Sequence, residues 1–121
     1  MSSVKVPASD WKDFLDGFTR RHHGRMVRIE THDAKTEETV ISRSMELQSV
    51  DFDTEDEKNP RINVIVRSGL KEIKHIFFRP SHLTLYLSER GADEGLEIES
   101  INTVTNIRFR AAASGLVGDA A

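Results

Sequence analysis

The chain contains no cysteine. That excludes a disulfide framework, a thiolate nucleophile and any cysteine-ligated zinc site. It has only three prolines, one tryptophan and one tyrosine. No apolar run approaches the roughly 18 residues of a membrane span. The opening MSSVKVPASDW lacks the apolar core of a signal peptide. The expectation is therefore a soluble cytoplasmic protein with no membrane contact. Charge of one sign is also scarce. Seventeen Lys and Arg against twenty Asp and Glu leave a net −3. General nucleic-acid binding depends on neutralising phosphates, so this balance disfavours it. No G-x-S-x-G elbow, Walker loop or G-x-G-x-x-G occurs. No nucleophile has an evident base beside it. Neither an enzyme nor a cofactor is expected.

What is present is one convincing amphipathic helix, within SDWKDFLDGFTRRHHG at residues 9–24. Trp11, Phe14, Leu15 and Phe18 recur at helical spacing and form one apolar stripe. Ser9 is the expected N-cap. Arg20 and Arg21 suit the negative end of the dipole. Gly24 suits the positive φ that follows a helix. Three of the eight aromatics lie on this stripe, which therefore reads as the lid of the core.

After Gly24 the apolar period changes from helical to two, the mark of half-buried strands. Val27, Ile29 and Thr31 share one face of a first strand. A long strand over about residues 39–53 carries Met45 and Leu47 in one phase and Val50 and Phe52 in the other. That slip predicts a bulge or bend near Gln48 and Ser49. RINVIVR faces inward through Ile62, Val64 and Val66. EIKHIFFRP is apolar on both faces and reads as a central strand stopped by Pro80. HLTLYLS alternates, with Leu83, Leu85 and Leu87 inside. LEIES and TNIRFR read as a hairpin turning near Asn102 and Thr103.

The connections leave no room for crossover helices, so the pairing is antiparallel. The fold class is α+β: an N-terminal helix packed on a strongly bent antiparallel sheet, or a small barrel, of 6–7 strands. The domain spans 9–110, after a flexible lead-in at 1–8 and before a disordered tail at 111–121. The order of helix then bent strands is that of Sm-like barrels, a likeness of topology that carries no function.

Two stretches resemble a family of small bacterial proteins with an uncharacterised conserved domain. The opening matches its W-x-x-F-L-x-x-F-x-R-x-H-x-G pattern through Trp11, Phe14, Leu15, Phe18, Arg20, His22 and Gly24. The close, DEGLEIESINTVTNIRFR, resembles its D-E-x-L-E-I-E segment and R-F-R strand. The family's usual Asp-Gly at the last hairpin is replaced here by Asn102 and Thr103. The resemblance implies a shared fold unit and no catalytic residue.

The strongest candidate site is RRHHGRMVR, where Arg20, Arg21, His22, Arg25 and Arg28 come without an intervening acid. Such a cluster can bind phosphate, nucleic acid or an acidic partner. It can equally complement a helix end. His22 continues the apolar stripe, so it should be partly buried and bonded to a helix-end or strand carbonyl. His32, His75 and His82 lie in separate strands without metal-ligand spacing, so no metal site is expected. DFDTEDE fails as a calcium loop, because Asp56 stands where glycine is needed and Ile62 where the bidentate glutamate is needed. Glu97 and Glu99 share a strand face. Paired acids there could do acid–base chemistry, or simply pair with Arg108 and Arg110 across the hairpin. The leading reading is a non-enzymatic interaction or self-association module, whose partner is another protein or a second copy. The alternative is phosphate or nucleic-acid binding through Arg20–Arg28.

Overall fold

The computed structural model describes residues 2–110, the side chains of residues 43 and 44 excepted. The expected tail at 111–121 lies outside the described residues. In chain order the elements are β1 (Ser2–Lys5), a 3-10 turn (Ala8–Asp10), α1 (Trp11–His22), β2 (Met26–Asp33), β3 (Thr39–Asp53), β4 (Arg61–Ser68), β5 (Lys71–Phe78), β6 (His82–Leu87), β7 (Asp93–Ser100) and β8 (Thr103–Phe109).

All strands join one antiparallel sheet in the order β1-β6-β7-β8-β2-β3-β4-β5. The sheet does not close, so of the two architectures expected it is the bent sheet. Among the described residues it has eight strands rather than six or seven. The additional one is β1. Residues 2–5, expected to be loose, pair with β6 from Ser2 opposite Leu87 to Lys5 opposite Thr84. Their side chains are all exposed, so no apolar pattern announces the strand.

The bend comes from β3. Its first half pairs with β2 and its second half with β4, the change falling at Glu46. The register slips between Leu47 and Ser49, as the phase change predicts. This bulge lets Met45, Leu47 and Val50 all reach the core. Beyond Glu46 the side of β3 that faced β2 has no strand partner, and α1 and the two residues after it take up backbone groups there. Thr19 Oγ1 donates to the Val50 carbonyl at 2.8 Å and accepts from the Val50 N–H at 2.9 Å. The Gly24 N–H donates to the Leu47 carbonyl at 2.7 Å. His23 Nδ1 lies 2.8 Å from the Gln48 carbonyl. The helix is thus stitched to the bulge along its last turns.

The apolar stripe is the lid. Trp11, Leu15 and Phe18 are buried and Phe14 is half-buried. The Trp11 ring meets the edge of Phe52 at 5.2 Å, and its Nε1–H donates to the Val6 carbonyl at 2.8 Å. Beneath lie Val27, Ile29, Ile62, Val64, Leu96, Ile98 and Ile107, all buried.

Two expectations change. Ser9 does not cap α1. The chain enters through the 3-10 turn, and Asp10 stands at the cap position without a side-chain cap bond. Strand β5 is an edge, not the centre. Only Phe77 of its apolar residues is buried, whereas Ile76 and Phe78 are 39% and 48% exposed. Apolar residues on both faces were the signal for a central strand; here one face is left uncovered.

Candidate functional site

The end of α1 gathers the main polar cluster. Gly24, at φ +89°, turns the chain from the helix into β2. The turn leaves His22, Arg21 and Arg25 grouped where α1, β7 and β8 meet. His22 lies on the buried stripe and is 8% exposed. Its ring centroid is 4.6 Å from that of Phe18 and 4.5 Å from that of Phe109. Its Nε2 is 2.6 Å from Asp93 Oδ2. Arg21 reaches the same oxygen through Nε at 3.3 Å and Nη2 at 3.0 Å. Arg25 lies across the Phe109 ring, 4.0 Å from guanidinium carbon to centroid, and its Nη1 is 3.3 Å from His22 Nδ1.

Arginine can only donate, so His22 Nδ1 accepts from Arg25. The ring proton then sits on Nε2 and is donated to the Asp93 carboxylate. Burial alone would raise the Asp93 pKa. The hydrogen bonds from His22 and Arg21, and the charge of Arg21, outweigh burial and hold it below the ordinary aspartate value.

Of the five expected residues, three converge: Arg21, His22 and Arg25. Arg28 points to the other face of β2 and pairs with Glu30 at 3.7 Å. Arg20 is exposed on the helix. The expected carbonyl partner of His22 is a carboxylate instead. Asp93 and Phe109 complete the cluster and were not among the expected site residues. Phe109 was expected to pack against the helix stripe, as it does against Phe18, but nothing in the sequence said that Asp93 of the D-E-x-L-E-I-E segment lies at the helix end.

Both ring nitrogens of His22 are engaged, Nε2 by Asp93 and Nδ1 by Arg25. The cluster has the geometry of a latch between helix and sheet.

The carboxylates of β7 behave differently from the expected pairing with Arg108 and Arg110. The Tyr86 hydroxyl donates to Glu97 Oε2 at 2.8 Å. Arg108 stacks over the Tyr86 ring at 4.2 Å, where Gly95 opposite leaves room. Glu99 sits 3.7 Å from His82 Nδ1. Burial, then the bond to Glu97 and its charge, raise the Tyr86 pKa.

The second feature is the β5 edge. Among the described residues, β5 pairs with β4 on one side and with no strand on the other. Its outward row is Glu72, Lys74, Ile76 and Phe78, all exposed, and it is preceded by fully exposed Leu70. A cleft of about 410 Å³ runs beside it, walled by Thr31, Val40, Ser42, His75 and Phe77. His75 Nε2 is buried there without a hydrogen-bond partner, and burial lowers the His75 pKa. Among the described residues no group of three or more His, Asp or Glu gathers to hold a metal. No helix among them is long and apolar enough to cross a membrane.

The model of a family of unknown function, DUF5335, matches residues 2–116, and the chain belongs to that family. No curated protein matches the chain. No solved structure matches it.

Proposed function

We propose that this DUF5335 chain is a cytoplasmic, non-enzymatic module that binds another protein chain, or its own copy, along the open edge of β5. The observation that carries the reading is the edge itself. Eight residues of strand have one side unpaired, with Ile76 and Phe78 39% and 48% exposed beside it. Unpaired backbone N–H and C=O groups are a template for an added strand. The other edge, β1, is four residues long and offers less.

The reading is favoured over a phosphate or nucleic-acid site at Arg20–Arg28 because three of those four arginines are committed elsewhere. Arg21 is on Asp93, Arg25 on His22 and Phe109, and Arg28 near Glu30. It is favoured over catalysis because the histidine–aspartate pair has no ring nitrogen to spare.

Selection of random peptides displayed on phage tests it. Peptides of alternating apolar and charged residues should be enriched. Their binding should be lost when Ile76 and Phe78 are both replaced by lysine and kept when Arg20 and Arg28 are both replaced by glutamate. Peptides that ignore the β5 variant and need the arginines would overturn the reading.

A further inference from the structure

The outward row of β5 is Glu72, Lys74, Ile76 and Phe78, and exposed Leu70 stands in the turn just before Lys71, so around Ile73 the order is apolar, acid, base, apolar. That order is complementary to its own reverse. We propose that β5 pairs with β5 of a second copy, antiparallel and about a two-fold axis at Ile73. This rests on the edge-binding reading above and names the partner.

The register follows from symmetry. A two-fold axis normal to a continuous sheet keeps each side chain on its own face, so it must pass through a residue opposite its own copy. Centred on Glu72 or on Lys74, it would set like charges face to face. Centred on Ile73, it sets Glu72 against Lys74 of the second copy and Lys74 against its Glu72. The turn residue Leu70 then comes beside Ile76 of the second copy, twice, and Phe78 lies beyond the paired stretch. On the other face Ile73 meets Ile73, and Lys71 meets His75, which its lowered pKa keeps uncharged at neutral pH. Opposite charges and apolar pairs directly across two strands are favourable, and like charges are not. Only this centre satisfies all of them. One strand per copy is a small contact beside a standard interface of about 1,600 Å², so the dimer forms reversibly with concentration.

Sedimentation equilibrium across a concentration series tests the pairing. Wild type should show a monomer–dimer equilibrium. Glu72→Lys and Lys74→Glu should each weaken it by about tenfold or more, since each variant sets two like-charge pairs across the axis. Glu72→Lys/Lys74→Glu together should recover most of the affinity. Because the chain has no cysteine, Ile73→Cys supplies a second measurement. Residues opposite one another across an antiparallel pair lie about 4.5–5.5 Å apart, within disulfide reach. Ile73→Cys should therefore cross-link on oxidation and Glu72→Cys should not. A monomer at every concentration, or charge variants that associate like wild type, would overturn the pairing. If such a monomer still selects peptides on β5, edge binding stands and only the self-pairing falls; if it selects none, both fall.

Discussion

His22 and Asp93 are 71 residues apart in the chain and 2.6 Å apart in space. The contact fastens the last turn of α1 to the start of β7, between the rings of Phe18 and Phe109. Asp93→Asn removes the charge that the His22 and Arg21 donors share. Loss of one partner in a largely buried hydrogen-bonded pair costs about 1–3 kcal/mol, and urea unfolding at pH 7 should show it. The effect has a direction in pH. An unfolded aspartate titrates near 3.9, and folded Asp93 titrates lower. Between those values the unfolded chain binds more protons, so the contribution of Asp93 is complete above about pH 5 and is lost as pH falls through the folded value. The gap between wild type and Asp93→Asn should narrow as pH falls through the folded value of Asp93. A constant gap would mean that the charge of Asp93 is not what stabilises the latch.

The helix stripe is graded rather than uniform. Phe18 is fully buried against Phe109 and His22, whereas Phe14 is only half-buried. Phe18→Ala should cost about 3–5 kcal/mol. Phe14→Ala should cost clearly less. Chemical denaturation of both variants checks the order, and equal losses would contradict the packing described.

Gly95 is set by contact, not by turn geometry. A Cβ there would run into the Ile107 carbonyl oxygen and lie 3.1 Å from Arg108 Cδ. Neither β7 nor β8 can yield without disturbing its ladder. Gly95→Ala should therefore destabilise by about 1–3 kcal/mol, the usual range for overpacking. It should also displace Arg108 from Tyr86, read as a change in tyrosine fluorescence or chemical shift.

The arginine cluster should not act as a polyanion site. Gel shifts with single-stranded RNA and duplex DNA near 150 mM salt, roughly physiological, should show no complex. Micromolar binding abolished by Arg25→Glu/Arg28→Glu would promote the alternative.

The legible parts of this fold are those where burial leaves a period. The stripe from Trp11 to Phe18 and the alternation in β2, β4 and β8 were readable residue by residue. The bulge in β3 was readable because a phase slip is itself a pattern. Strand β1 was not, since exposed Ser2 and Ser3 carry no apolar signal. Strand β5 was misplaced because apolar residues on both faces describe a buried strand and an uncovered edge equally well. The site was half legible. Arg21, His22 and Arg25 could be singled out by charge, but their convergence depends on β7 delivering Asp93, a tertiary fact. The bland explanation for Glu97, a cross-strand arginine, failed because Tyr86 lay closer to hand.

Hydrogen exchange of the full chain, followed by mass spectrometry at low and high protein concentration, tests the central claim most directly. The account predicts that amides of β5, residues 71–78, gain protection as concentration rises, while residues 20–28 do not change. Exchange in β5 that is independent of concentration and of added selected peptide, with protection appearing at 20–28 instead, would contradict it.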